Sequence, residues 1–144
     1  MNAASFEKDY PIRFSHCDPA GIVYFPQYLV LTNWALEDFF NEGLKVDFAG
    51  LIERRLGIPI VKLQTEFVRA SRQGEVLTLR IEVTRLGERS LTATFTGRVG
   101  DEVRLRSEQV FVMISLDKVA SMPFPDDIRD ALQRYLPAAE EVTS

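Results

Sequence analysis

The stretch FPQYLVLTNWALEDFFN, residues 25–41, decides the fold. Wound at 3.6 residues per turn, Tyr28, Leu29, Leu31, Trp34, Ala35, Leu36, Phe39 and Phe40 cover most of its surface. Gln27, Asn33, Glu37, Asp38 and Asn41 are left with a narrow polar strip. That is wider than the apolar stripe of an ordinary surface helix, so the pattern predicts a long helix wrapped on most sides by the rest of the chain. Pro26 suits a first helical turn and no later one, which starts the helix near Phe25, and Gly43 is the expected stop.

Upstream, Tyr10 to Phe14 reads as a short strand; downstream, Val46 to Leu56 reads as a second, shorter helix ended by Gly57. The texture then changes. The runs Ile58–Val68, Glu75–Leu86, Ser90–Val99 and Glu102–Leu116 are rich in Val, Ile, Thr and Phe with partial alternation, the mark of half-buried strands. Short separators with turn chemistry, SRQG at 71–74, GE at 87–88 and GD at 100–101, predict an antiparallel meander. A terminal helix over Pro125 to Leu136 opens with Pro-Asp-Asp, acidic residues that suit the positive end of the helix dipole. One long apolar helix followed by strands implies an α+β fold in which a curled antiparallel sheet of five strands buries the helix. The 144 residues suffice for a single domain with one core.

Composition narrows the function. A net charge of −4 argues against a nucleic-acid platform. No apolar run approaches the roughly 18 to 20 residues of a membrane span, and residues 1–9 lack the regions of a signal peptide, so a soluble cytoplasmic protein is expected. Cys17 has no second cysteine to pair with, and one cysteine with one histidine, His16, does not make a conventional zinc site, so neither metal nor cofactor is expected.

What remains is the loop ahead of the long helix, DPAGIVYFP at 18–26. Asp-Pro is a common helix-start pair, so Asp18 has a structural reading as a cap. The start near Phe25 leaves Asp18 in the loop instead, where a carboxylate can attack an acyl group or deprotonate water. Unpaired N–H groups at the start of the helix, at Phe25, would favour developing negative charge. Gly21 lets the loop approach a ligand closely. Cys17 reads as a small packed residue, and His16 as a side chain that shares a face with Asp18.

The DPAGIVYFPQY segment at 18–28, GIPIV at 57–61 and EFVRASRQGEVLTL at 66–79 resemble the hot-dog-fold acyl-CoA thioesterases, and among them the 4-hydroxybenzoyl-CoA type. The resemblance spans roughly residues 8 to 118. It implies hydrolysis of an acyl-CoA thioester, with Asp18 as the catalytic carboxylate and the Phe25 backbone amide polarising the thioester carbonyl. It implies that Tyr24, Asn33 and Trp34 meet the acyl group, Asn33 standing where the 4-hydroxybenzoyl type carries an aspartate that faces the phenol. The phosphates of the coenzyme need cations, for which Arg85, Arg89, Arg98, Arg104 and Arg106 are candidates; the resemblance favours Arg89, in the GERS turn, for the nucleotide end, although Gly87 and Glu88 stand where the family type tends to be basic. A homodimer or homotetramer with sites built from two chains is the expected assembly. The alternatives are a non-catalytic acyl-CoA binding module and a short-chain thioesterase of the Tol-Pal-associated branch, which carries a histidine where this chain has Phe25. An acyl-CoA hydratase would need an aspartate and a histidine on opposite sides of a double bond, which His16 and Asp18, two residues apart, do not offer.

Overall fold

The computed structural model describes residues 4–137. In chain order the elements are β1 (Phe6–Pro11), a 3-10 turn (Phe14–His16), α1 (Phe25–Asp38) running on through a π-helical turn (Phe39–Leu44), α2 (Gly50–Glu53), β2 (Leu56–Gly57), β3 (Ile60–Phe67), β4 (Val76–Leu86), β5 (Ser90–Val99), β6 (Glu102–Val112), β7 (Ile114–Ser115), β8 (Ala120–Ser121) and α3 (Asp126–Gln133). The main sheet has the order β1-β4-β5-β6-β3 with every pair antiparallel, and β2-β7-β8 form a small second sheet. Five strands curl around one long helix, the hot-dog arrangement that the sequence implied.

The core follows from that wrapping. Leu31, Ala35, Phe39 and Phe40 are completely buried against Leu77, Leu79, Ile81, Leu91, Ala93, Phe95 and Leu105, and α3 closes the far side with Ile128 and Leu132. Each large apolar side chain so removed from water contributes about 1.5–3 kcal/mol. One flank of α1 stays open: Val30 and Trp34 are exposed at 38% and 41%, so the helix is wrapped less completely than its composition suggested.

Four local expectations are corrected. The meander holds for β4-β5-β6, but β3 pairs with β6 at the opposite edge from β1, and residues 68–75 cross the end of the sheet instead of making a hairpin. Gly74, at φ +92°, serves the re-entry beside β1, where its N–H donates to the Ile12 carbonyl. The first strand is Phe6–Pro11, earlier than Tyr10–Phe14, because Phe14–His16 closes into a tight turn. The second helix is short: Lys45 and Arg55 adopt left-handed conformations, and Leu56–Gly57 pairs with Ile114–Ser115. Gly43 and Gly57 are packing residues and stop no helix. A Cβ on Gly43 would stand 2.9 Å from the Phe39 ring, and one on Gly57 3.1 Å from Leu116.

Candidate active site

The Asp18 loop is a small closed hairpin. Cys17 bridges Val23, the Asp18 N–H donates to the Ile22 carbonyl (3.0 Å), and the Gly21 N–H donates to the Asp18 carbonyl (2.9 Å). Gly21 sits at φ +82°, so its role here is the left-handed conformation that closes the turn. One carboxylate oxygen, Oδ1, accepts from the Ala20 N–H at 2.8 Å, while Oδ2 meets no donor among the described residues. The helix-cap reading of Asp18 does not hold, because the N-cap of α1 is Tyr24 and no side chain bonds there. Asp18 orients its own turn and keeps an oxygen free.

Helix α1 starts at Phe25, with Pro26 in the first turn, and the Phe25 N–H has no partner among the described residues. The first amides of a helix have no intrahelical acceptor and carry the positive end of its dipole, so this N–H is available to an oxyanion. Beside it runs a groove of about 290 Å³ lined by Ile22, Val23, Phe25, Tyr28, Phe67 and the start of the crossing segment, Val68 to Ala70. Phe67 stacks on both Phe25 (5.8 Å) and Tyr28 (5.7 Å), giving an apolar wall that continues the Asp18 loop. A larger depression, about 410 Å³, lies on the outer face of the sheet among Gln64, Glu66, Arg106 and Glu108. It is polar and opens on the face of the sheet turned away from α1 and the Asp18 loop, so the smaller groove is the one with chemistry beside it.

A buried polar cluster holds the groove in place. The Val23 N–H donates to the Ser71 carbonyl and Ile22 bridges Arg72, which pins the loop to the crossing segment. That segment is gripped by Arg104, whose Nη1 donates to Ala70 O (2.9 Å), Ser71 Oγ (3.1 Å) and Glu75 Oε1 (2.9 Å). Its Nε lies 2.9 Å from Glu102 Oε1 in ion-pair contact without hydrogen-bond geometry. Tyr28 donates its hydroxyl to the same Ser71 Oγ at 2.8 Å. Hydrogen bonds from Arg104 hold the Glu75 carboxyl below the usual carboxylate range, and Glu75 in turn raises the Arg104 guanidinium. His16 is buried; its Nδ1 accepts from the Arg13 N–H, and burial with the neighbouring Arg13 charge lowers its pKa.

The other sequence-derived candidates are scattered. Tyr24 is exposed and packs edge-on to Phe25 at the mouth of the groove. Asn33 is exposed, its amide donating to Glu37 (3.1 Å), and Trp34 packs edge-on against His16 (5.6 Å) on the helix flank turned away from Phe67. Arg85 and Arg89 lie at the far end of β4, where Arg89 Nη1 donates to Ser121 O (2.8 Å). With 11 residues in β4, at about 3.3 Å each, roughly 30 Å separates them from the Asp18 end. Tyr28, Phe67, Ser71 and Glu75 went unassigned in the sequence, and Arg104, one of the arginines the sequence offers for the phosphates, is turned inward to Ala70 and Glu75. Arg104 falls at a register shift between β5 and β6, a bulge that turns an extra residue inward and that no sequence signal announces. Among the described residues no cluster of His, Cys, Asp and Glu is placed to hold a metal ion, and no helix is long and apolar enough to cross a membrane.

With this geometry in hand, comparison with known proteins is informative. The sequence profile of the thioesterase-like superfamily matches residues 12–132. The chain belongs to that superfamily. A 4-hydroxybenzoyl-CoA thioesterase from Pseudomonas sp. (strain CBS-3) is 29% identical over 134 residues, covering 87% of this chain and 95% of that one. Two solved structures share the fold. A 1,4-dihydroxy-2-naphthoyl-CoA thioesterase from Synechocystis superposes with a TM-score of 0.83 at 19% identity, covering 90% of this chain and 96% of that one. A gentisyl-coenzyme A thioesterase gives 0.81 at 23% identity, covering 88% and 98%. As a thioesterase-superfamily member the protein is a thioester hydrolase.

Proposed function

We propose that the protein hydrolyses the thioester of an aromatic acyl-CoA, with the acyl group in the groove between α1 and β3. The observation that carries this is the pairing of a carboxylate oxygen without a donor, Asp18 Oδ2, with an N–H without an acceptor, that of Phe25, in the segment that lines the groove. The thioester carbonyl oxygen accepts from the Phe25 N–H. Asp18 then attacks the carbonyl carbon, or takes a proton from a water that does. The C–S bond breaks and the electron pair leaves on sulfur as coenzyme A thiolate, a good leaving group that takes its proton from solvent. By the nucleophilic route, water hydrolyses the resulting anhydride and restores Asp18. The three relatives named above act on hydroxylated aromatic acyl-CoAs by name, and the Phe25, Tyr28 and Phe67 walls suit a flat ring.

A complete site needs a second chain. β3 is an edge strand exposed along nearly its whole length, with Ile60 (42%), Val61 (60%), Leu63 (43%) and Phe67 (44%) open to water. Such an edge pairs readily with another strand. Antiparallel pairing of two β3 edges would set the Asp18 end of one chain beside the Arg85 and Arg89 end of its partner, where the two arginines meet the nucleotide phosphates. A homodimer is therefore the smallest active unit, and a tetramer would be two of them. The test is Asp18→Asn, which keeps the Ala20 bond and the size of the side chain but removes the base. Thiol release should fall by roughly a thousandfold or more while acyl-CoA affinity is kept. A rate within about threefold of wild type, under ~1 kcal/mol of barrier, overturns the role of Asp18. Acyl-CoA binding without thiol release in the wild type would instead favour a binding module.

A further inference from the structure

Helix α1 begins without a capping side chain: its N-cap is Tyr24, and no side-chain oxygen bonds to its first amides. A helix end in that state frays, because its first N–H groups have no intrahelical acceptor to hold them. Here the end is held in another way. The Tyr28 hydroxyl, in the first turn, donates to Ser71 Oγ (2.8 Å), and the Val23 N–H, just ahead of the helix, donates to the carbonyl of the same Ser71 (2.9 Å). Val23 and Tyr28 are thus fixed to one residue, and Phe25 lies between them. Ser71 is completely buried, and Arg104 Nη1 donates to its Oγ at 3.1 Å.

The N–H groups of this stretch are spent with one exception. Val23 gives its proton to Ser71, Tyr24 donates to the His16 carbonyl (3.0 Å), Gln27 donates to the Tyr24 carbonyl (2.8 Å), and Pro26 has no N–H. From Val23 to Gln27 only the Phe25 N–H stays open among the described residues. A single donor gives a developing oxyanion no second bond to correct its aim, so its placement decides how much it contributes. Misplacement by about 1 Å can cost roughly a hundredfold in rate. An ordinary cap would steady the turn but place its own oxygen at the amides where the substrate carbonyl has to sit. A tether from Tyr28 steadies the same turn and leaves that N–H free.

We infer that Tyr28 and Ser71 are positioning residues of the reaction: through their hydrogen bond they aim the Phe25 N–H at the thioester carbonyl, in place of a helix cap. This rests on that N–H being the oxyanion donor. The Tyr28 ring also walls the groove beside Phe67, so the part in question is its hydroxyl alone.

Tyr28→Phe removes the hydroxyl and keeps the ring. With 4-hydroxybenzoyl-CoA, kcat should fall about tenfold while KM stays within about twofold, because the groove is unchanged and only the transition state depends on the aimed donor. Ser71→Ala keeps the carbonyl that Val23 uses and should act alike, and the double variant should cost no more than Ser71→Ala alone, since both changes break one bond. The second readout is spectroscopic. 4-Hydroxybenzoyl-CoA isotopically labelled at the thioester carbonyl is bound at saturation to Asp18→Asn, and infrared difference spectra read the carbonyl stretch. Binding should lower that frequency relative to the free thioester, and adding Tyr28→Phe should remove most of the lowering. A bond that only stabilised the fold would shift the unfolding midpoint and leave the bound carbonyl alone. Ser71→Ala supplies the answer if Tyr28→Phe does not fold. An undiminished shift, or a kcat within about twofold of wild type in a folded variant, overturns the positioning role and leaves the Phe25 amide standing as donor. No shift on binding to Asp18→Asn itself overturns the donor reading beneath it.

Discussion

The two ends of the long strands are built differently. At the Asp18 end, a loop, a crossing segment and a strand bulge are joined through a chain of hydrogen bonds from Tyr28 to Ser71 to Arg104 to Glu75, mostly out of water. At the Arg89 end, the close of β4 and the turn after it offer two arginines to solvent, Arg89 held by the Ser121 carbonyl and Arg85 without a partner among the described residues. The first construction holds an acid and an amide in fixed positions, as bond making requires. The second presents flexible charge, enough for phosphates, where a point charge near the right place suffices. The proposed site draws on both ends, and the exposed β3 edge is where two chains would join them.

The sharpest way to break this comparison is to separate the chains. Leu63→Lys places a charge in the middle of the exposed β3 edge, on the face turned toward α1. Sedimentation should show a shift to monomer, and thiol release should fall by about a hundredfold, since each chain then has only half of a site. A monomer that keeps full activity removes the need for a second copy.

The next effect is on the Asp18 end alone. Arg104→Met removes the cation that Glu75, Ser71 and Ala70 share, and leaves the Glu75 carboxylate, 30% exposed, without it. Breaking a fully buried pair costs about 3–5 kcal/mol, and partial access of Glu75 to water brings this to about 2–3 kcal/mol. Urea unfolding should show the loss, with hydrogen exchange accelerated in residues 18–25 more than in β5. Stability within ~0.5 kcal/mol of wild type would mean that the cluster does not hold that end.

At the other end the expected effect is smaller and falls on binding. Arg89→Glu should raise KM for an acyl-CoA about tenfold, ~1.4 kcal/mol, and leave a truncated thioester without the nucleotide unaffected. Equal effects on both substrates would take Arg89 away from the phosphates. Mixing this variant with Asp18→Asn tests the arrangement itself. If sites are shared, a mixed dimer contains one site with both defects and one with neither, so each mixed dimer should have half of wild-type kcat/KM, and an equal mixture after exchange about a quarter. No recovery after exchange of chains means that the two residues serve the same chain's site.

The long helix was legible because its apolar surface is so wide, and the strands because their alternation is regular. Residues whose positions depend on pairing were not. β3 is followed by a turn-like SRQG and then by β4, so local chemistry suggested a hairpin; only the sheet as a whole, with α1 filling its concave face, sends β3 to the far edge. The loop position of Asp18 and the helix start at Phe25 were readable because one short stretch carries both. Ser107 and Gln109 look like ordinary polar letters in a strand, and nothing local says that their face is the buried one. Trp34 was drawn toward the site by proximity to Asn33 in sequence, yet the two point to different sides of α1.

The smallest effect distinguishes the ends by pH. At the Asp18 end, burial and the neighbouring Arg13 charge favour neutral His16 in the folded state, so its folded pKa lies below the unfolded value. In the unfolded chain the ring is free to take a proton as pH drops below about 6.5. The unfolded state then binds more protons than the folded one, so stability is full above that pH and declines as pH falls through the window between the two values. Glu75 adds a second, more acidic decline. Its folded pKa is depressed by Arg104, so its stabilisation is present above the unfolded carboxylate value and is lost as pH falls through the lower folded one. The Arg89 turn contains no histidine and contributes nothing near pH 6. Urea midpoints measured from pH 7.5 to 5 should therefore fall by an amount worth under about 1 kcal/mol, with exchange in residues 13–25 accelerating first. His16→Asn should flatten the slope between pH 6.5 and 5 while leaving the steeper acid limb of Glu75. A slope unchanged by that substitution would place the proton uptake elsewhere and remove His16 from the account of how this end is held.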